Sequence, residues 1–565
     1  MNPSPGEATA RRWGPWIVLA ASLVLLLPGI SELPLLDRDE PRFATATREM
    51  LERPDWVIPW FNDQYRFDKP PLIYWMMMPF YALGGAVEWA ARLPGVLASA
   101  AAALGIFTFG RLFHSARSGL GASLAFLTCL QMQIHGRLAL ADMPMVAGVL
   151  FAFLGAARLL LVPGLSRRAQ WGWFWVLWLS LSVSFLAKGP VGLFVLVLAL
   201  ALFRLLAGRG YPWGRLRPLR GLLVFLVPIA AWGLPALVRT DGLYWDVGMG
   251  YHVIERGTDA FNERITLPFF YFLSVLLSLF PWMAGLWIAV RRVRREWGRP
   301  LTRFLLAWFV SPVILFSFYA TQLPHYILPG FPAFFLLLFA RPRLPDARGL
   351  RTAWQRWYLR VAVVLLGVLG VGGGVLLATA GPGRGLGLAV LGLAGLGTGL
   401  LFLRTGIARQ AGAPLLAGLV LLLGGSWLFA DRMRADHLSR QLAPALAGET
   451  PGRAAEGARA YGFQEPSLVF YGGSGIEFGK RIRPEDLPLS TDGPVVVERR
   501  EYRFDDLLGQ WLEKLAGSRE TYVPSGEEEL PEGAFPPDRW RKETLAGFNP
   551  ARTSWVEVEV YRPRP

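Results

Sequence analysis

Between Leu35 and Leu72 an otherwise apolar chain concentrates its ionisable side chains. They read Asp37-Arg38-Asp39-Glu40-Pro41-Arg42, then Arg48-Glu49, Asp55 and Phe67-Asp68-Lys69-Pro70-Pro71. A further acid, Asp142, closes the stretch Arg137-Leu138-Ala139-Leu140-Ala141-Asp142. Carboxylates move protons, and cations stabilise negative charge that builds up during a reaction. Beside a membrane such groups are costly and mark functional sites. Lysine usage narrows the choice: only five of the 58 basic residues are Lys, and only Lys69 and Lys188 precede residue 431. An ammonium binds phosphate as a compact point charge, unlike the planar guanidinium. Lys69 is followed by two prolines, which stiffen the segment that carries it. The competing reading is a lysine snorkelling to the membrane interface.

The five histidines divide by setting. His114 and His437 read as structural, and His135, near the end of an apolar run, fits either role. His252, in Gly250-Tyr251-His252-Val253-Ile254-Glu255-Arg256, and His325, in Leu323-Pro324-His325-Tyr326, sit in polar connections. Asp68 with His252 and His325 would offer a divalent metal, zinc or magnesium, oxygen and nitrogen ligands. No dense ligand spacing accompanies them, so hydrogen-bonded structural histidines compete with that reading. Cys129 is the sole cysteine, which excludes an internal disulfide, and its apolar setting favours a buried thiol over a nucleophile.

The elements that must position these groups are written in the composition. Of 565 residues, 53% are hydrophobic and 18% charged, with a mean hydropathy of +0.35. Those values exclude a disordered chain and point to a large membrane domain. About 13 apolar runs approach the ~20 residues that a spanning helix needs. They begin with Trp13–Leu35 and continue with Leu93–Phe113, Gly119–Ile134, Met143–Leu161, Trp171–Leu186 and Gly189–Leu206. Leu222–Val238, Leu267–Val290, Phe304–Ala320, Tyr326–Ala340, Val361–Ala380, Gly385–Leu403 and Pro414–Ala430 complete the set. Alternate connections are Arg-rich, as the positive-inside rule requires. Residues 1–430 hold 39 basic and 19 acidic side chains, and residues 431–565 hold 19 and 23. The +16 net charge therefore belongs to the membrane part, which argues against a nucleic-acid binder. The predicted architecture is mostly α: a polytopic membrane domain over 1–430 and a small α/β domain over 431–565 on the outer side. Two long outer connections, near 31–92 and 239–266, carry enough aromatic residues for short interfacial helices. In the tail, Ser467–Tyr471, Pro494–Glu498 and Trp555–Tyr561 read as strands and Asp505–Leu515 as a helix. Gly370/Gly374 and Gly395/Gly399 read as close helix packing.

Taken in order, Asp39-Glu40-Pro41-Arg42-Phe43-Ala44, Arg48-Glu49-Met50, Asp68-Lys69-Pro70-Pro71, Ala141-Asp142-Met143, Lys188-Gly189-Pro190 and Leu323-Pro324-His325-Tyr326-Ile327-Leu328-Pro329 resemble the bacterial protein mannosyltransferase/aminoarabinose transferase family. These are integral-membrane glycosyltransferases of the GT-C fold. The resemblance covers roughly residues 15–340 by motif, and the rest by layout. It implies a sugar donor carried on polyprenyl phosphate, undecaprenyl phosphate in bacteria, and an active site on the periplasmic face of the inner membrane. It implies catalytic roles for Asp39, Asp142 and Lys69. It implies donor-phosphate contacts from Arg42, Lys69, Tyr326 and Arg256, and a metal held by Asp68 and His252. The family's aminoarabinose transferases usually carry Glu where this chain has Asp68. The implied acceptor is lipid A, with another envelope glycan or a protein as alternatives. A non-enzymatic transporter of lipid-linked sugars is the remaining reading, but no internal repeat of the kind transporters carry is evident.

Overall fold

The computed structural model describes residues 4–36, 38–248, 250, 269–280, 282–340, 433–482, 493–503, 530–531, 533–552 and 554–564. The described chain forms two compact units. The first comprises Met1–Ile30, Phe67–Ile73 and Arg92–Leu428, and the second Ser31–Arg66, Tyr74–Ala91 and Phe429–Pro565.

The first unit is helical. Helix α1 spans Pro5–Leu26. After the connection that contributes α2, a short hairpin and α3 (Leu72–Gly84), the chain runs through α4 (Glu88–Phe113), α5 (Ala116–Leu127) and α6 (Leu130–His135). Next come α7 (Asp142–Leu161), α8 (Arg167–Lys188), α9 (Val191–Ala207) and α10 (Pro218–Arg239). Four described helical stretches are long and apolar enough to cross a membrane: Glu88–Phe113, Asp142–Leu161, Trp213–Arg239 and Pro300–Ser317. Their environments differ. Helix α7 is buried on nearly every side, whereas α10 leaves Leu222, Leu223, Leu226, Val227 and Leu234 exposed, the apolar face expected of a helix against lipid. Helices α7 and α8 approach closely because α7 carries glycines at the contact. A Cβ at Gly148 would lie 2.7 Å from the Ser180 carbonyl oxygen, and one at Gly155 would lie 2.9 Å from Leu177.

Arginines finish several helices by donating to carbonyls left without intrahelical partners. Arg215 reaches the Leu159 and Val162 carbonyls after α7. Arg292 reaches those of Leu337 and Leu338, and Arg137 those of Leu25 and Pro28 after α1. The Arg bias thus has a structural use beyond orientation.

Several expected spans are interrupted. Gly119–Ile134 divides into α5 and α6 at Thr128-Cys129. Leu267–Val290 divides into Phe270–Ser278, a 3-10 turn at Trp282–Gly285, and Leu286–Arg295. Tyr326–Ala340 opens with the 3-10 segment Pro324–Gly330 before the helix Phe331–Leu338. Prolines at 324, 329 and 332 account for the last case, since each lacks an amide donor. The expected spans from Val361 onward, the Gly370/Gly374 and Gly395/Gly399 pairs, and the expected helix Asp505–Leu515 lie outside the described residues.

The second unit contains α2 (Asp39–Glu52) and the hairpin β1 (Trp60–Phe61) and β2 (Gln64–Tyr65). Asn62 and Asp63, at φ 54° and 62°, form its two-residue turn in the left-handed region that these residue types tolerate. The tail supplies a five-stranded sheet in the order β4-β3-β5-β7-β6. Here β3 is Arg459–Tyr461, β4 Glu477–Gly479, β5 Val495–Arg503, β6 Trp540–Asn549 and β7 Ser554–Pro563. Strand β3 runs parallel to β4 and β5, and β7 runs antiparallel to β5 and β6. Alternation along β7 sends Val556, Val558 and Val560 into a core with Leu438, Leu442, Leu446 and Leu468. Ser467–Tyr471 is a helix, Pro466–Gly472, rather than the expected strand. Its β-prone side chains are overruled by Pro466 at the first turn and by Gly473, at φ 105°, just past its end.

His437 is 1% exposed at the entry to the helix Leu438–Leu446, and burial, with Arg440 nearby, pushes its imidazole down to about 4. The unfolded chain binds this proton more readily, so the contribution is complete above about pH 6.5 and is lost as pH falls towards 4. The loss amounts to roughly 3 kcal/mol in the limit. Unfolding of the purified full chain followed by intrinsic fluorescence should show that decline, and His437→Gln should flatten it between pH 6.5 and 4. A parallel pH dependence in both proteins would contradict the assignment.

Candidate active site

The first unit holds a cavity of about 270 Å³ whose lining includes the polar side chains of Asp68, Lys69, Asp142, Lys188, Tyr244 and Tyr326. The rest of the lining is largely apolar and includes Phe185, Phe194, Ile229, Trp232 and Leu315. A lining that combines charged and apolar side chains suits a ligand with a charged head and a hydrocarbon body.

Two helix ends place Asp142 and Lys188 in this lining. Asp142 is the first residue of α7 and Lys188 the last of α8, so the acid meets the positive end of one helix dipole and the cation the negative end of another. Lys188 Nζ donates to Asp142 Oδ1 at 2.6 Å, with both side chains largely buried. The turn that follows needs its glycine. Gly189 lies at φ 70°, ψ −153°, a conformation open essentially to glycine alone, and Pro190 then leads directly into α9. Lys188-Gly189-Pro190 therefore ends one helix, reverses the chain and leaves the ammonium at the cavity.

A string of polar contacts continues behind this pair. His325 Nε2 stands 3.8 Å from Asp142 Oδ1, and the His325 and His135 rings are 4.6 Å apart. His135 Nδ1 and Gln131 Nε2 are 2.8 Å apart, and Ser278 Oγ donates to Gln131 Oε1 at 2.9 Å. Lys188 also lies 5.4 Å from the Tyr326 ring centroid, a cation–π distance. Tyr326 packs on Phe316, ring centroids 4.8 Å apart.

Lys69 lines the same cavity. Its ammonium donates to the Asp68 carbonyl at 2.9 Å, and its own carbonyl accepts from Tyr244 Oη at 2.7 Å. Phe67 and Trp232 each pack edge-on against Tyr244, so the backbone carrying Lys69 is held by an aromatic cluster. Among the sequence candidates, Asp68, Lys69, Asp142 and Tyr326 thus share one cavity. Asp39 and Arg42 stand on α2 in the second unit, where Asp39 is exposed and Arg42 half-buried. Arg256 and His252 lie outside the described residues. No group of three metal-ligating His, Cys, Asp or Glu side chains occurs among the described residues. Cys129 is a buried free thiol, as its setting suggested.

Sequence reasoning gave Lys188 no role and did not single out Tyr244. The rarity of lysine was the available signal for the first. For the second there was none, because its partner, Lys69, is 175 residues away.

The Asp142–Lys188 pair can be tested apart from any activity. Removing one member of a buried pair strands the other charge, at a cost of about 3 kcal/mol or more. Lys188→Met should therefore lower the unfolding midpoint of the purified chain sharply. Adding Asp142→Asn to it should restore a large part of the loss. Additive losses would contradict a paired role.

Residues 68–233 match the protein-family profile described as dolichyl-phosphate-mannose-protein mannosyltransferase. The chain is 30% identical over 340 residues to the undecaprenyl phosphate-alpha-4-amino-4-deoxy-L-arabinose arabinosyl transferase of Serratia proteamaculans, covering 58% of this chain and 59% of that protein. It is also 30% identical to the enzyme of that name from Pectobacterium carotovorum, over 425 residues, 73% of this chain and 75% of the relative. The chain thus matches under two thirds of the length of the Serratia protein and three quarters of the Pectobacterium one. The crystal structure of ArnT from Cupriavidus metallidurans bound to undecaprenyl phosphate has a TM-score of 0.72 to this chain. It is 21% identical, with 96% of this chain and 97% of that one covered, a likeness of fold. By its coverage of the Pectobacterium relative, and with its apolar helices, this integral membrane protein belongs to the aminoarabinose-transferase-like family of GT-C glycosyltransferases.

Proposed function

We propose that the protein transfers a sugar, 4-amino-4-deoxy-L-arabinose, from undecaprenyl phosphate to lipid A at the periplasmic face of the bacterial inner membrane. The observation that carries this reading is the cavity lined by two scarce lysines, a tyrosine and many apolar side chains. A polyprenyl phosphate has that polarity, with an anionic head on a long hydrocarbon chain. The relatives named above as undecaprenyl phosphate arabinosyl transferases supply the sugar and the carrier.

The chemistry follows from the leaving group. An acceptor oxygen attacks the sugar C1 while the C1–O bond to phosphate breaks, and the electron pair stays on the phosphate oxygen. Undecaprenyl phosphate leaves with more negative charge than it carried in the donor. Fixed cations at that oxygen lower the barrier because their attraction grows as the bond breaks. Lys69 takes this role, with Lys188 beside it and a hydrogen bond from Tyr326. Arg42, assigned by its motif, adds a planar donor suited to phosphate. Direct displacement inverts configuration at C1.

Asp39 has two uses according to the acceptor. A hydroxyl acceptor must lose its proton, and Asp39 then acts as general base. A lipid A phosphate needs no proton removed, and Asp39 then orients the acceptor or the amino sugar. Asp68 and His252 remain the pair to hold a divalent cation, and no step above passes through it. Arg256 is the remaining candidate for the phosphate.

Transfer by the purified full chain from undecaprenyl phosphate-linked 4-amino-4-deoxy-L-arabinose to lipid A, read by mass spectrometry, tests this reading. The expected product is lipid A carrying the sugar. Asp39→Asn should slow transfer by about 100-fold or more. Lys69→Ala should lower kcat by about 100-fold, since it removes charge stabilisation at the leaving group. Sugar transferred to protein while lipid A stays unmodified would move the acceptor to the mannosyltransferase alternative. Wild-type rates for both variants would overturn the site.

A further inference from the structure

Within the second unit, one short stretch of the tail holds both the chain just before α2 and the last turns of α2. At the entry, the Leu35 amide donates to Tyr471 Oη at 3.0 Å, and Tyr471 Oη donates to Glu88 Oε1 at 3.1 Å. Arg440 pairs with the same Glu88. Glu40 then accepts the Leu36 amide at 2.8 Å and closes the turn into the helix.

At the far end, Arg48 spreads its guanidinium over the helix Pro466–Gly472. It donates to the Phe470 carbonyl at 2.9 Å, the Val469 carbonyl at 3.2 Å and Ser474 Oγ at 3.0 Å. Those carbonyls lie in the last turn of the helix, where the dipole favours a cation, and Val469 also accepts the capping Gly473 amide at 3.1 Å. Ser474 Oγ in turn donates to Glu49 Oε1 at 2.5 Å. The Glu49 carboxylate, fully buried, also accepts the Asn62 and Asp63 amides at 2.7 and 3.1 Å. Asn62 closes the circuit by donating to the Ile476 carbonyl and accepting the Gly475 and Ile476 amides.

Apolar packing alone would let α2 slide or turn, because it is non-directional. Charge-assisted hydrogen bonds from two adjacent residues have no such freedom. Arg48 and Glu49 leave the helix about 100° apart, yet both end on Ser474, which fixes rotation as well as axial position. Asp39 is nine residues from Arg48, about two and a half turns, so it leaves α2 on the side opposite Arg48. That side is exposed at Asp39. The tail hydrogen bonds to α2 described above end on Arg48 and Glu49, not on Asp39.

We propose that the segment from Pro466 to Ile476 is a positioning clamp for α2, with Tyr471 and Ser474 as positioning residues that set the placement of Asp39 and Arg42. The clamp gives the tail domain a part in turnover, and it rests on the reading of Asp39 as a residue of the reaction. A misplacement on the order of 1 Å at a reacting group can cost about 100-fold in rate.

The test measures kcat and donor KM separately for Tyr471→Phe and Ser474→Ala in the full-length protein. Each should lower kcat by about tenfold and leave donor KM within about twofold, since neither residue lies in the described cavity. Combined with Asp39→Asn, neither should slow the residual transfer further, because a displaced Asp39 and a missing one are alike in effect. Tyr471→Phe keeps every ring contact, so it carries the test if Ser474→Ala fails to fold. Wild-type kcat in Tyr471→Phe, or full additivity with Asp39→Asn, would overturn the clamp while leaving the proposed function standing. Wild-type transfer by Asp39→Asn itself would overturn the catalytic reading and the clamp with it.

Discussion

Two opposite charges buried at the ends of apolar helices set the terms for the candidate active site. Neither Asp142 nor Lys188 would be stable there alone, because each would lose its hydration without compensation. Their contact at 2.6 Å ties the start of α7 to the end of α8. That tie depends on the glycines that let the two helices approach and on Gly189, which turns the chain away just after the lysine. Once the pair is fixed, Tyr326 and His325 pack beside it. Lys69 lines the same cavity, on a backbone pinned to Tyr244.

The second unit applies a similar economy to a different material. Its sheet core is apolar and follows simple alternation along β7, but its hold on α2 is polar and directional. Hydrophobic burial supplies the stability of the tail, while hydrogen bonds to Arg48 and Glu49 supply register.

Much of the site was legible in the sequence, because rarity carries information. In a chain with five lysines, Lys69 and Lys188 stood out before any fold was known, and both line the cavity. The pairing of Lys188 with Asp142 was not legible, since 46 residues separate them and hydropathy says nothing about which helix ends meet. Apolar length announced helices but not their continuity, so the breaks at Thr128-Cys129 and after Ser278 were missed. The tail strands β5 and β7 were found from alternation and β-branched content. Ser467–Tyr471 has the same composition and was misread, because Pro466 and Gly473 decide its conformation from outside the window. The grip on α2 was invisible for the same reason as the ion pair: its partners are more than 400 residues apart.

The central claim is that the cavity with Lys69 and Lys188 receives a lipid phosphate. Binding of a short-chain polyprenyl phosphate to the purified protein, compared with the matching uncharged polyprenol, measures this without any turnover. The expected result is strong preference for the phosphate in the wild type and loss of most of that preference in Lys69→Ala, with polyprenol binding unchanged. Equal binding of phosphate and alcohol by the wild type, or an undiminished preference in Lys69→Ala, would contradict it.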